Sequence, residues 1–239
     1  MVKFIDTHIH LQDIKADFAP QVLDNPDMQG VLTVSAKKED WGKIEDLMNL
    51  KKVSAAFGIH PWYAADDVDE LETYLQKYPS ALVGEIGLDG TKEIVSLKQH
   101  QCFAKQLEIA KYFGRPVVLH IVKAYEDFRQ YENKLKDIKF VLHGVGKNSE
   151  LVKFVNKCQG YFGISQRLFK CKNVREILTM IPEDKMLFET DAPFGVNEEK
   201  YAQCVQENLQ LVATLTDMTL EKLSEKLYKN AREFINVGR

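Results

Sequence analysis

The chain has 239 residues, 45% of them hydrophobic and 28% charged, with 13 Gly and 7 Pro. This composition excludes a disordered, collagenous or low-complexity chain, and the length suffices for one large domain with a sizeable core. Lys+Arg 32 against Asp+Glu 35 leaves a formal net charge of -3, so the surface as a whole cannot act as a polyanion trap and any nucleic-acid contact must be local.

In chain order, apolar β-branched runs predict strands at KFIDTH from Lys3, GVLTVSA from Gly30, VSAAFGIH from Val53 and ALVGEIG from Ala81. Further strands are predicted at PVVLHIV from Pro116, KFVLHGV from Lys139, GYFGIS from Gly160 and MLFETDAP from Met186. Most lack strict alternation, as expected of a parallel sheet buried on both faces. Helical periodicity fills the intervals, over 38–50, 66–77, 93–113, 124–135, 149–157, 173–180 and 198–215, and a last helix covers 220–235. In the helix over 93–113, Leu97, Phe103, Leu107 and Ala110 form the stripe expected to face the sheet, and His100 is expected to be structural or exposed.

Eight βα units in a chain of this length predict a (β/α)₈ TIM barrel over residues 1–239, read as a single domain. No G-x-G-x-x-G or P-loop follows a strand, and no linker or repeat marks a boundary. The amino-terminal MVKFIDTHIHLQD lacks a signal-peptide pattern, and charges interrupt every apolar run short of membrane-spanning length. Cys102, Cys158, Cys171 and Cys204 show no metal or disulfide spacing. A cytoplasmic, monomeric protein with reduced thiols and no membrane contact is expected.

The polar residues cluster where the strands end. His8 and His10 close the first strand, His60 the third, His120 the fifth, His143 the sixth and Asp191 the eighth, while Glu85 lies in the fourth. In a barrel those ends converge on one mouth, where active sites of this architecture lie. His8 and His10, one residue apart, point to one side of a strand and can share a cation, and Asp6 has the same parity. Imidazoles with carboxylates suit divalent ions such as Zn²⁺, Mn²⁺ or Mg²⁺. Three to four histidines and two carboxylates can hold two of them, with Glu85 as the bridge and Asp191 as acceptor of a proton from water. Buried Glu85, Glu189 and Asp191 would otherwise be costly unless paired.

The blocks FIDTHIHLQD, GIHPWYA, VGEIGLD, PVVLHIVKA, VLHGVGK and MLFETDAP, spread over the whole chain, resemble the TatD family of metal-dependent hydrolases. The resemblance implies a (β/α)₈ barrel with a divalent-metal centre and deoxyribonuclease activity. It implies that His8, His10, Glu85 and Asp191 hold one ion and Glu85, His120 and His143 the other. Gly90 stands where relatives commonly carry an aromatic residue, Gly-Val-Gly-Lys follows His143, and Lys123 replaces a frequent Arg, departures that bear on substrate preference.

Beyond the ligands, His60 is expected to contact substrate, and Trp62 and Tyr63 can stack on a base. Lys123 and Arg167 are expected to bind phosphates, within an arc that also includes Lys147, Lys170, Lys172 and Arg175. The leading expectation is a phosphodiesterase acting on DNA or another phosphodiester. The alternatives are a hydrolase of a small ester, amide or phosphoester, and a non-catalytic binding barrel.

Overall fold

The computed structural model describes residues 2–64, 68–91 and 95–236. Eight strands lie side by side in sequence order in one parallel sheet. They are β1 (Phe4–Ile9), β2 (Met28–Val34), β3 (Val53–Phe57), β4 (Leu82–Asp89), β5 (Val117–Val122), β6 (Phe140–Leu142), β7 (Tyr161–Ile164) and β8 (Met186–Phe188). The helices are α1 (Ala19–Leu23), α2 (Asp40–Leu47), α3 (Glu70–Lys77), α4 (Leu97–Phe113), α5 (Tyr125–Phe128), α6 (Glu132–Leu135) and α7 (Ser149–Lys157). Then come α8 (Gln166–Phe169), α9 (Val174–Thr179), α10 (Tyr201–Leu215) and α11 (Leu220–Ile235). The predicted TIM barrel is the observed architecture.

The sheet closes through bonds between β1 and the segment after β8. Asp191 N–H donates to His8 O at 2.9 Å, and His10 N–H donates to Ala192 O at 2.8 Å. Thr7 Oγ1 donates to Phe188 O at 2.9 Å. Asp6 completes the seam: its carboxylate accepts from Thr190 N–H, Thr190 Oγ1 and Tyr201 Oη at 3.1, 2.6 and 2.9 Å. It is a brace between β1, the β8 loop and α10, and burial pushes its carboxyl up to about 6 despite the donors from Thr190 and Tyr201.

Two buried layers result. One residue or more from every strand, including Ile5, Leu32, Ala56, Val118, Val141 and Leu187, joins Ala231 and Phe234 of α11 in an inner cluster. Residues of opposite orientation pack against the surrounding helices in the larger outer cluster. The last helix lies across the amino ends of the strands. Lys3 N–H donates to Ser224 Oγ at 2.6 Å, and Asn230 Nδ2 donates to Met186 O at 2.9 Å. It plugs the end opposite the histidines.

Several predicted boundaries move. The eighth strand stops at Phe188, so Glu189 and Asp191 belong to a turn rather than to alternating strand positions. Asp191 has φ 58°, a left-handed conformation that Asp tolerates better than most residues. The helix predicted over 93–113 starts at Leu97 after the cap Ser96, and Glu93 lies outside the described residues. Leu97 is 71% exposed and does not join the buried stripe, because six residues from Phe103 is about 120° out of phase on a helix. Phe103, Leu107 and Ala110 are buried as expected. The helix predicted over 66–77 is observed as Glu70–Lys77, with Asp66 outside the described residues. The segment over 124–135 breaks into α5, a 3₁₀ turn and α6. Among the described residues, no helix is long and apolar enough to cross a membrane.

Candidate metal centre

Glu85, on β4, is the hub of the carboxyl end of the barrel. Its side chain is 4% exposed, and its two oxygens face different donors. Oε2 lies 3.5 Å from His8 Nε2 and 3.6 Å from His10 Nε2. Oε1 lies 2.6 Å from His120 Nδ1, 3.8 Å from His143 Nε2 and 3.9 Å from His60 Nε2. Asp191 adds its own two oxygens: Oδ1 is 3.7 Å from His8 Nε2 and 3.6 Å from His10 Nε2, and Oδ2 is 3.9 Å from His143 Nε2.

These spacings test whether cations fit. Most are too long for hydrogen bonds, yet donors bound about 2.1 Å from one cation stand roughly 3–4 Å apart. His8 is wholly buried, and neither of its ring nitrogens has a hydrogen-bond partner. An imidazole so placed pays for desolvation without compensation unless a ligand is present. His8, His10 and Asp191 offer one donor set, and His8, Glu85 and His143 another. The residues fit divalent ions.

A third set joins His60 and His120 to Glu85, but the ring of His60 is already committed. Trp62 N–H donates to its Nδ1 at 3.1 Å, so the hydrogen of the neutral imidazole sits on Nε2, which faces Glu85 as a donor rather than a metal ligand. Burial, reinforced by His120, lowers His60 to about 3 and keeps it neutral. His10 is likewise lowered to about 4, chiefly by burial and then by His8. Gln12 Nε2 lies 3.4 Å from His10 Nδ1, too far to fix that ring's tautomer.

The other two histidines meet acids. Burial opposes charge on His143, yet Glu189 and Asp191 outweigh it and raise it to about 10. Its Nδ1 lies 3.1 Å from Glu189 Oε1, an ion-pair contact. Glu189 also accepts from Gly144 N–H at 2.7 Å. It fits only because residue 163 is glycine, where a Cβ would fall 1.9 Å from Glu189 Oε2. Burial likewise opposes charge on His120, but Glu85 and Asp89 overcome it and raise its pKa. For Glu85 burial works upward, while His8 and His120 prevail and hold it well below the usual carboxylate range. Gly87 lets β4 approach β5 at this level, since a Cβ there would fall 1.9 Å from His120 O.

The surface beyond is asymmetric. Trp62 and Tyr63 are 49% and 38% exposed, and the indole stands edge-on to His60 at 5.0 Å. Phe194, 69% exposed, stands in the same way against His10 at 5.0 Å and was not singled out from sequence. Lys123, Lys147 and Arg167 line one groove of about 520 Å³ between β5, β6 and α8. Its acids are engaged elsewhere, Glu126 with Arg129 and Asp127 with His100. A larger cavity of about 1070 Å³, lined by Ile5, Lys52 and Arg232 among others, lies at the opposite end of the barrel, away from every metal-binding group. Sequence reasoning also passed over Asp89, although it shares strand parity with Glu85.

The profile of the family described as TatD related DNase matches residues 5–236. A metal-dependent hydrolase of Haemophilus influenzae is 28% identical over 258 residues, covering 95% of this chain and 97% of that protein. The human 3'-5' RNA nuclease TATDN2 is 28% identical over 218 residues, covering 80% of this chain and 28% of that protein. Among solved structures, YJJV, a TatD homologue from Escherichia coli, superposes with a TM-score of 0.83 at 20% identity, covering 98% of both chains. The chain belongs to the TatD family of metal-dependent hydrolases.

Proposed function

We propose that the protein is a nuclease, acting on phosphodiester bonds of DNA or a related polynucleotide at a centre of two divalent ions. The observation that carries this reading is Glu85, whose two oxygens face separate donor sets. His8, His10, Glu85 and Asp191 would hold one ion, and Glu85, with His120 and His143 facing its Oε1, the other. Bound there, such ions lower the pKa of water and polarise a phosphoryl oxygen.

The chain's own groups complete the chemistry. Asp191, with its side chain 29% exposed at the mouth, accepts the proton that the attacking water loses. His60 donates from Nε2 to an oxygen of the substrate, a role its tautomer permits. Lys123, Lys147 and Arg167 take the flanking phosphates, and Trp62 and Tyr63 offer rings to the bases. Among the described residues the groove carries three cations beside two acids, one of which is paired with Arg129, and so suits a polyanion better than a neutral ester or amide. The human relative named as an RNA nuclease supports a polynucleotide substrate.

We read residues 1–239 as one domain, working as a monomer. Four cysteines without a disulfide accord with a cytoplasmic setting. The deciding experiment reconstitutes metal-free protein with Zn²⁺, Mn²⁺ or Mg²⁺ and compares single-stranded DNA, RNA, small phosphoesters, esters and amides. Turnover of an oligonucleotide is expected. Turnover of small esters or amides alone would transfer the centre to the other hydrolase class.

A further inference from the structure

Asp89 is a buried acid to which the mechanism above gives no part. It ends β4 four residues after Glu85, and its side chain is 2% exposed. Both carboxylate oxygens are committed. Oδ2 lies 2.8 Å from His120 Nε2, while Oδ1 accepts from Thr91 N–H at 2.7 Å and from the Thr91 hydroxyl. The backbone of Asp89 is clamped as well. Gln99 of α4 accepts from Asp89 N–H at 2.9 Å through Oε1 and donates to Asp89 O at 3.0 Å through Nε2. Gln99 is itself buried.

His120 is therefore held at both nitrogens, with Nδ1 toward Glu85 at 2.6 Å and Nε2 toward Asp89. An acceptor fixed at Nε2 keeps a hydrogen there, which reserves the lone pair of Nδ1 for a cation beside Glu85. No other histidine of the centre is held in this way. His8 has no partner at either nitrogen, His10 meets an amide at 3.4 Å at Nδ1 alone, His60 accepts from Trp62 N–H at Nδ1 alone, and His143 meets Glu189 at Nδ1 alone.

We infer that Asp89 is a positioning residue for the metal centre: through His120, and without binding an ion itself, it fixes which ring nitrogen is offered to the cation next to Glu85. Thr91 and Gln99 preset its carboxylate. The inference rests on the metal-binding reading above, and on none of its assignments of substrate.

The test is calorimetric titration of metal-free protein with Zn²⁺ and with Mn²⁺, for wild type, Asp89→Ala, Asp89→Asn and Thr91→Val, with melting curves in EDTA alongside. Loss of a carboxylate behind a ligand histidine typically weakens metal binding about 10–100-fold. Asp89→Ala is expected to weaken at least one ion by that factor. Asp89→Asn keeps an oxygen acceptor and should fall between it and wild type, and Thr91→Val should show a smaller loss in the same direction. Histidine ¹⁵N spectra give an independent readout, with the His120 Nε2 proton becoming exchange-broadened in the variants that loosen metal. If Asp89→Ala does not fold, the other two variants carry the comparison. A merely structural role would lower the melting temperature in EDTA and leave affinities alone. The inference is overturned if every ion bound by wild type is held within threefold by the variants that fold. Wild type that binds no ion would instead overturn the metal reading.

Discussion

At the scale of single residues, Asp191 carries the sharpest expectation. Its left-handed backbone is one that Asn adopts as readily as Asp, so Asp191→Asn keeps the turn while removing the basicity and the charge of the carboxylate, and metal content measured on the same preparation separates a lost base from a lost ligand. Loss of a positioned general base costs about 10²–10⁴-fold. Turnover should fall by that factor while the melting temperature in EDTA stays within a degree or two, and near-normal kcat would remove Asp191 from proton transfer. The groove gives a contrasting case. Lys123→Ala and Arg167→Ala should raise KM for an oligonucleotide with little change in kcat or metal content, because the groove they line contains none of the proposed metal ligands. Added salt should weaken the wild type more steeply than the double variant. Equal salt slopes would show that the phosphates pass elsewhere.

The seam between β1 and the β8 loop decides how the elements bring those residues together. Asp6 ties His8, Thr190 and Tyr201 into one buried network directly beneath both histidines of β1. Tyr201→Phe removes one donor from a buried carboxylate, a loss worth about 1–3 kcal/mol. Urea denaturation in EDTA should show that loss, and an unchanged midpoint would mean that the phenol is not needed to hold α10 on the barrel. From sequence, Asp6 shares the parity of His8 and His10, and parity cannot distinguish an acid aimed at the mouth from one aimed at a neighbouring loop. The strands themselves were legible, since short continuous apolar runs alternating with helical stretches are the pattern that a parallel sheet covered on both faces imposes. The turn after Phe188 was not, because its left-handed residue is imposed by bonds to β1 nearly two hundred positions away. The same limit hid the pairing of Asp89 with His120 on another strand, whereas the tautomer of His60 depends on the local turn that aims the Trp62 N–H at its ring.

Across the whole molecule, the barrel has two separate fastenings. At the amino end Phe234 of α11, fully buried, packs among the inward residues of the strands. At the carboxyl end the proposed ions would be gripped by side chains from β1, β4, β5, the end of β6 and the loop after β8. Phe234→Ala leaves a cavity where the plug was, at a cost of about 3–5 kcal/mol. Binding that favours only the folded chain adds about 2.7 kcal/mol when an ion is present at 100 times its dissociation constant. The two ends share no side chain, so the effects should add within about 0.5 kcal/mol. Denaturation of wild type and Phe234→Ala, each with metal and with EDTA, completes the square. If chelation costs the variant much less than it costs wild type, the plug and the metal centre are coupled, and the inner layer of the barrel transmits strain from one end to the other.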